Sequence, residues 1–274
     1  MTAKNKKNSL HTFSVLAYKE SPYLEDCIKS VTQQKYPSEV ILATSTPNQF
    51  IKNLAKKYGL ELKINHGKSG IGADFDFALQ AGETELVTIA HQDDIYDSEY
   101  SQAMIGAYQS HPESLIIFPD YYELRNGERV EQNTLLKVKH LLLWPLRFSS
   151  GKSKFMKRMT LRFGDPISCP AVTFNTRKVQ PPLFDNEMKN DVDWHAWEVL
   201  SKQPGNFTFV DRKLMGHRIH TASATTENIQ NHTRTEEDFQ ILQRFWPKWI
   251  ARKIAKLDAR SEKSNQNQTE DKHD

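Results

Sequence analysis

The sequence predicts an α/β protein whose central sheet is mostly parallel and is flanked by helices. Short apolar runs that contain β-branched residues alternate with segments of helical periodicity over about the first 90 residues. Alternation of this kind produces parallel βαβ units. With 274 residues, the chain is also long enough to bury a complete core.

The first half of the chain carries the clearest alternation. The predicted strands cover residues 13–17, 40–44, 60–64 and 86–90, and the predicted helices cover residues 23–31, 49–58 and 73–81. Gly59 closes the second helix, because glycine readily adopts the left-handed conformation of a helix C-terminus. The fourth strand ends at His91. Ligands of parallel sheets bind outside the carboxyl ends of the strands, so we expect a site around residues 91–94.

The second half is less regular. Helices are predicted over residues 99–109 and 192–201, and strands over residues 114–118, 167–175 and 207–210. The Asn126-Gly127 pair indicates a tight hairpin after the first of these strands. Residues 132–164 contain eight Lys or Arg and no Asp or Glu, interleaved with apolar residues. We interpret this segment as an insertion.

Composition and charge exclude several classes. No apolar run approaches the roughly 18 residues that a membrane-spanning helix needs. The polar, lysine-rich start lacks the apolar core of a signal peptide, so we expect residence in the cytoplasm. Two cysteines without CxxC spacing argue against a disulfide framework and a zinc site. A net charge of +3 is too small to indicate nucleic acid as a partner.

Two adjacent carboxylates, Asp93 and Asp94, directly follow the fourth predicted strand. Such a pair can hold a divalent cation that bridges the phosphates of a nucleotide, because hard cations prefer oxygen ligands. An isolated Asp-Asp pair is more often a helix cap or a turn. Neighbouring motifs must therefore distinguish the two interpretations.

Several such motifs occur in a defined order, most of them close to a predicted strand. They are Phe13 to Leu16, Ser21-Pro22-Tyr23-Leu24, Ser30-Val31, Gln34 and Leu86 to Tyr96. In order and spacing the chain resembles family 2 glycosyltransferases with the GT-A fold over residues 10–225. His91-Gln92-Asp93-Asp94 is the counterpart of that family's Asp-Gln-Asp-Asp motif.

The resemblance implies a metal-dependent, inverting enzyme of bacterial polysaccharide or glycoconjugate synthesis. It would transfer a sugar from a nucleoside diphosphate sugar, with a UDP-sugar favoured, to an acceptor hydroxyl with the help of Mn²⁺ or Mg²⁺. The implied catalytic domain, 10–225, has a nucleotide-sugar half over 10–120 and an acceptor half over 121–225 that carries the basic insertion. A helical extension over 226–260 and disordered ends at 1–9 and 261–274 complete the predicted organisation.

The resemblance also implies roles for single residues. Donor binding is assigned to Ala17, Tyr18, Glu20, Thr44, Lys68, Gly70, Asp76, Gln92, Asp93 and Arg218. Asp93 aligns with the metal-binding carboxylate, and His220 offers a second metal ligand. The chain departs from the family at two positions: His91 replaces the first Asp of the motif, and Thr44-Ser45 replace an acidic residue that often follows the second strand.

An inverting transferase needs a general base opposite the leaving diphosphate. Asp191 aligns best with the family's base, and Asp193 is its rival. The alternative is that Asp191 only caps the helix that follows it, where the helix dipole favours a carboxylate.

Two further loops resemble donor-binding loops of the family. The glycine-rich residues 66–72 lack the GxxxxGK[ST] order of a P-loop, and Gly70 and Gly72 can equally be turn residues. Asp74 and Asp76 follow in a helix and could approach the sugar or ribose. Residues Gly216 to His220, with Ser223, Thr225 and Thr226, resemble a late loop that closes over the diphosphate.

Basic residues recur every fourth position near the C-terminus, on a predicted amphipathic helix kinked near Pro247. They are Arg244, Lys248, Arg252, Lys256 and Arg260. With the basic insertion, they motivate the hypothesis of contact with an anionic membrane at the inner face of the cell, where lipid-linked acceptors reside. The alternative is that both segments pack on the catalytic core.

Two other functions compete with glycosyl transfer to a glycan or lipid-linked acceptor. A sugar-phosphate nucleotidyltransferase would need a glycine-rich, basic signature near the first strand, and residues 17–22 do not supply one. A non-catalytic glycan- or partner-binding module could retain the fold with a degenerate site.

Overall fold

The computed structural model describes residues 9–68, 70–149, 151–220 and 233–257. The strands are β1 (His11–Leu16), β2 (Glu39–Thr44), β3 (Glu61–Ile64), β4 (Leu86–His91), β5 (Ile95–Tyr96), β6 (Ser114–Arg125), β7 (Glu128–Val130), β8 (Thr173–Asn175) and β9 (Asn206–Ile219). The helices are α1 (Leu24–Thr32), α2 (Gln49–Tyr58), α3 (Ile71–Ala81), α4 (Tyr100–Ser110), α5 (Thr134–Leu142), α6 (Trp144–Ser149), α7 (Lys154–Leu161), α8 (Val192–Ser201), α9 (Thr233–Leu242) and α10 (248–257).

The strands form one sheet in the order β3-β2-β1-β4-β8-β6-β9-β5, with β7 paired to β6. Strands β1 to β4 run parallel, and β6 and β9 run in the same direction because β8 pairs antiparallel to both β4 and β6. The predicted mostly parallel α/β sheet is therefore confirmed. The carboxyl ends of β1, β2 and β4 meet at one edge of the sheet, where ligands of such folds bind.

The local signals of the first half act as predicted. Asn48 caps α2 by accepting the Ile51 N–H at 2.9 Å, and Gly59 ends the helix in the left-handed conformation with φ of 62°. The Asn126-Gly127 pair turns β6 into β7, and both residues have positive φ, 52° and 83°. Such values suit a tight hairpin turn.

The core has two parts, one on each face of the sheet. Along β4, Val87 and Ile89 face the part that contains Trp194 and Trp197 of α8. Leu86 and Ala90 belong to the other part, which includes Phe13 and residues of α1, α2 and α4. This alternation places β4 in the middle of the protein, so the polar residues that follow it are held by a rigid strand.

Several predicted elements are wrong. The predicted strand over 167–175 is a 3-10 turn at Cys169–Ala171 followed by the short antiparallel strand β8. Pro170 explains the turn, because proline has no N–H to donate to a sheet. The predicted loop at Gly216 to His220 begins inside a strand, since residues up to Ile219 belong to β9. Strands β6 and β9 are much longer than predicted because they pair with each other along most of their length.

The predicted helix with a kink near Pro247 is also wrong, because the chain forms two helices there. Helix α9 ends at Leu242, a turn follows, and α10 begins directly after Pro247. Proline suits a helix start but not a helix interior. The basic insertion folds into α5, α6 and α7. The predicted disordered ends, Ser223, Thr225, Thr226 and Arg260 lie outside the described residues, apart from Ser9.

A buried carboxylate joins the insertion and the C-terminal segment to the core. The Glu198 side chain of α8 has no exposed surface and pairs with Arg158 at 2.7 Å, Lys202 at 2.7 Å and Arg244 at 3.1 Å. Arg252 lies over the Phe239 ring. Arg244 and Arg252 of the predicted basic stripe thus contact the protein itself, which supports the packing interpretation for these two residues. Within the described ranges, no helix is both long and apolar enough to cross a membrane.

Candidate active site

The loops after β1 and β4 are joined through Gln92. Its amide accepts the Tyr18 N–H at 2.9 Å and donates to the Tyr18 carbonyl at 3.2 Å. The Gln92 side chain therefore bonds both backbone groups of Tyr18, as a residue of a neighbouring strand would, and fixes the spacing of the two loops. Ala17 is buried and donates its N–H to the Ala43 carbonyl, whereas Glu20 is exposed beside them.

Asp93 lies where the loop after β1, the loop after β4 and the end of β9 meet. Its Oδ1 accepts the Ser21 hydroxyl at 3.1 Å, and its Oδ2 lies 3.1 Å from His220 Nε2. The Arg218 Nε donates to the Asp93 carbonyl at 2.9 Å. The Tyr23 ring contacts both the Arg218 guanidinium, at 4.4 Å, and the His220 ring, at 4.9 Å. The structure thus brings together Asp93, Arg218 and His220, which the sequence assigned to one site.

Asp94 has a different environment. It is 1% exposed, accepts the Arg218 N–H at 2.9 Å and pairs with His217 Nδ1 at 3.1 Å. Burial raises the pKa of Asp94, but His217 and the other neighbours outweigh burial and lower it below its ordinary value. Burial lowers the pKa of His217, and Asp94 outweighs burial and raises it. Asp94 therefore anchors the end of β9 to the loop after β4.

The described side chains around Asp93 offer too few ligand atoms to bind a cation alone, but they fit a cation that is also bound by the substrate. No group of three His, Cys, Asp or Glu side chains suited to a metal occurs within the described ranges. A divalent cation at this place would take one oxygen from Asp93 and one nitrogen from His220, and Mg²⁺ or Mn²⁺ in nucleotide sites commonly takes its other ligands from phosphates and water. His91 packs on the Phe75 ring at 5.1 Å, and burial lowers the pKa of its imidazole.

An acidic side chain does stand near the end of β2, although the sequence there reads Thr44-Ser45. Asp74 of α3 accepts the Ser45 hydroxyl at 2.8 Å and the Asn65 amide at 3.0 Å. Thr44 is buried, and its hydroxyl accepts the Thr46 N–H. Helix α3 therefore brings a carboxylate to the position where sequence comparison suggested that none remained.

The other residues of the glycine-rich region contact a neighbouring loop. Asp76 accepts the N–H groups of Leu183 and Phe184 at 2.9 and 3.3 Å, and burial raises its pKa. A Cβ on Gly70, whose φ is 133°, would lie 2.3 Å from Asn186 Oδ1. Lys68 is exposed. Gly70 and Asp76 thus hold the segment around residues 183–186 against α3.

Gly72→Ala is expected to destabilise the protein by about 1–3 kcal/mol, since the new Cβ overpacks a fixed backbone. That Cβ would lie 2.9 Å from the Asp185 carbonyl oxygen. Gly106→Ala in α4 is the matched control: its Cβ meets nothing within 4 Å, so it should stabilise by roughly 0.5–1 kcal/mol. Urea unfolding measures both. Equal stability of Gly72→Ala and wild type would contradict the close packing.

Two carboxylates stand at the start of α8, and Asp191 is buried whereas Asp193 is half-buried. Asp191 is 5% exposed and occupies the N-cap position of α8, yet its side chain makes no cap hydrogen bond. Burial, then the nearby Asp238, raises the pKa of Asp191 well above its ordinary value. Asp193 accepts the Trp194 N–H at 2.9 Å, and burial raises its pKa too. Asp191 thus stands at the start of α8, as the capping alternative predicts, but its side chain forms no hydrogen bond to the first turn.

Cys169 connects the two groups of carboxylates. Burial raises the pKa of its thiol, and the charges of Asp193, Asp165 and Asp94 raise it further. Carboxylates from the loop after β4 and from residues 165 and 193 therefore act on one buried thiol. The sequence comparison did not find the Ser21 bond to Asp93, the His217 bond to Asp94 or the placement of Asp74, because none of these contacts follows from spacing along the chain.

Comparison with known proteins agrees with this fold. Residues 12–179 match the sequence profile described as glycosyl transferase family 2. No curated protein sequence matches the chain. The crystal structure of TarS 1-349 from S. aureus in complex with UDP-GlcNAc is similar with a TM-score of 0.59 and 15% identity, covering 89% of this chain and 70% of TarS 1-349.

A second similar structure is the mannosyltransferase PcManGT from Pyrobaculum calidifontis in complex with GDP-Man and Mn²⁺. Its TM-score is 0.58 with 14% identity, and the match covers 93% of this chain and 70% of that one. At such low identities the similarity concerns the fold.

Proposed function

The chain belongs to glycosyl transferase family 2, and on this premise we propose that it is an inverting transferase that moves a sugar from a nucleoside diphosphate sugar to an acceptor hydroxyl. We place it in bacterial cell-surface polysaccharide or glycoconjugate synthesis, with a UDP-sugar as the favoured donor. The observation that carries the proposal is the pairing of Asp93 with His220 beside Arg218, at the carboxyl end of β4.

Each residue of the site has a chemical task in this proposal. Asp93 and His220 would hold a Mn²⁺ or Mg²⁺ ion, and a bound ion would supply positive charge to stabilise the leaving diphosphate. Arg218, with its guanidinium held over Tyr23, adds a fixed positive charge on the same side. Asp74 and Ser45 face the nucleoside. The complexes of similar structures with UDP-GlcNAc and with GDP-Man and Mn²⁺ support a donor of this class.

Asp191 is the proposed general base. The acceptor oxygen forms its bond to the anomeric carbon while the bond to the diphosphate breaks, and Asp191 takes the hydroxyl proton. A buried carboxyl with a raised pKa is a stronger base than an exposed one, which suits this step. Asp193 remains the rival for the role.

Calorimetric titration with UDP-, GDP- and dTDP-sugars, with and without Mn²⁺, tests the proposal, followed by product analysis. We expect nucleotide binding that strengthens with Mn²⁺ and a glycosylated product with inverted anomeric configuration. Release of pyrophosphate from a sugar phosphate and a nucleoside triphosphate would instead indicate a nucleotidyltransferase. Absence of metal-linked nucleotide binding would favour a non-catalytic binding module.

We also propose contact with an anionic membrane from the cytoplasmic side, where a lipid-linked acceptor would lie. Large apolar side chains are exposed beside basic ones on the insertion and α10, including Leu141 at 68% and Trp249 at 65%. Sedimentation with phosphatidylglycerol vesicles at low salt should retain the protein, with weaker binding for Trp249→Ser and none to phosphatidylcholine. If the wild type does not bind anionic vesicles at low salt, the membrane proposal is wrong.

A further inference from the structure

Helix α9 brings a carboxylate to the backbone that precedes the proposed base. Glu237 Oε1 accepts the Lys189 N–H at 3.0 Å. Glu237 Oε2 accepts the N–H groups of Asn190 at 2.8 Å and Asp191 at 3.1 Å. Three successive N–H groups around one carboxylate form a strong, directional anchor, because hydrogen bonds to a charged acceptor are roughly twice as strong as neutral ones. Glu237 therefore fixes the chain where it enters α8.

The next residue of α9 contacts the Asp191 side chain itself. Asp238 is 3% exposed and forms a side-chain hydrogen bond with Asp191. The Oδ2 atom of Asp191 is buried and has no hydrogen-bond partner within the described ranges. One side of the carboxyl group is thus held, and a buried oxygen is left for another group. A carboxyl oxygen buried in this way needs a partner to offset the loss of hydration.

We propose that Glu237 and Asp238 are positioning residues for Asp191, so that α9 is a working part of the acceptor site. Glu237 sets the position of the main chain at Asp191. Asp238 contacts the Asp191 carboxyl group from α9 and leaves the buried Oδ2 for another group. This inference rests on the proposed function, because Asp191 needs such positioning only if it receives the acceptor proton.

Glu237 and Asp238 should affect Asp191 in different ways, Asp238 through its pKa and Glu237 through the position of its backbone. Burial raises the pKa of Asp191 most, and Asp238 raises it further. Arg234 of α9 lowers this pKa, and Asp193 of α8 raises it. Removing the Asp238 carboxylate therefore lowers the pKa of Asp191, while Glu237 acts on the backbone. A purely structural role of α9 would not change the pH dependence of the reaction.

Glu237→Gln tests the backbone anchor. We expect kcat to fall about 10- to 100-fold, because a small displacement of a base is costly, whereas the Kd for the nucleotide stays unchanged. Glu236→Gln, an exposed neighbour on α9, is the matched control and should retain wild-type kcat. Thermal unfolding confirms that each variant is folded. Wild-type kcat in Glu237→Gln would overturn the anchor role.

Asp238→Asn tests the side-chain contact and does not depend on Glu237→Gln being folded. The pKa of Asp191 falls in this variant, so the low-pH limb of the kcat profile should move to lower pH. An unmoved limb would overturn the role of Asp238. If Asp191→Asn is inactive while both α9 variants behave as wild type, only the positioning inference fails. If Asp191→Asn is fully active, the proposed base fails and this inference fails with it.

Discussion

Asp93→Asn is expected to reduce kcat/KM for sugar transfer by about 10²–10³-fold, the usual effect of removing one group that stabilises charge in a transition state. The substitution keeps the shape of the side chain but removes the negative charge that faces His220 at 3.1 Å. The strengthening of nucleotide binding by Mn²⁺ should disappear as well. Titration of UDP with and without Mn²⁺ measures this effect independently of activity.

The same variant should remain folded. Its carboxylate is only partly buried, and an amide oxygen can still accept the Ser21 hydroxyl, so the free energy of unfolding should change by less than about 1 kcal/mol. Asp26→Asn on α1 is a suitable control, because Asp26 is an exposed carboxylate paired with Lys29. Full transferase activity of Asp93→Asn would show that the metal role is wrong.

The first half of the chain was predictable because its signals are local. Gly59 ends α2 and Asn126-Gly127 turns the chain, and each does so through its own backbone conformation. The apolar run that ends at His91 is buried on both faces, as a central parallel strand must be. The position of Asp93 follows from that strand alone, so the sequence could locate it.

The second half of the chain was less predictable because its structure depends on long-range pairing. β9 extends to Ile219 because it pairs with β6, and no local sequence signal within residues 211–219 predicts this extension. Asp74 lies near the end of β2, bonded to Ser45, only because α3 packs beside that strand end. Contacts of this kind join residues far apart in the chain, and propensity carries no information about them.

The C-terminal segment shows a further limit of sequence patterns. Its basic residues recur at helical spacing, which indicated a surface stripe. Arg244, however, lies outside both helices and pairs with the buried Glu198. Glu237 and Asp238 of α9 carry no distinguishing motif, although they contact the backbone and the side chain of Asp191. A charged residue can therefore contact the core or the proposed site even where its spacing along the chain indicates a solvent-exposed position.

Asp191→Asn is expected to lower kcat about 10²–10⁴-fold, the usual contribution of a general base. Nucleotide binding should be retained, because Asp191 lies outside the group around Asp93 that we propose to bind the nucleotide. Asp193→Asn is the matched comparison on the same helix turn. A larger loss in Asp193→Asn than in Asp191→Asn would transfer the role of base to Asp193. Single-turnover measurements with saturating donor separate this chemical step from binding.

Asp191→Asn should not lose stability, although it loses activity. Because the folded-state pKa of Asp191 lies above its unfolded value, ionisation of the carboxyl opposes folding, and stability falls as pH rises from the unfolded pKa toward the folded one. Asp191→Asn removes this cost. At neutral pH its free energy of unfolding, measured in urea, should equal or exceed that of the wild type. Loss of activity without loss of stability indicates a carboxyl group retained for chemistry rather than for folding. A variant that is both less active and clearly less stable would contradict the assignment.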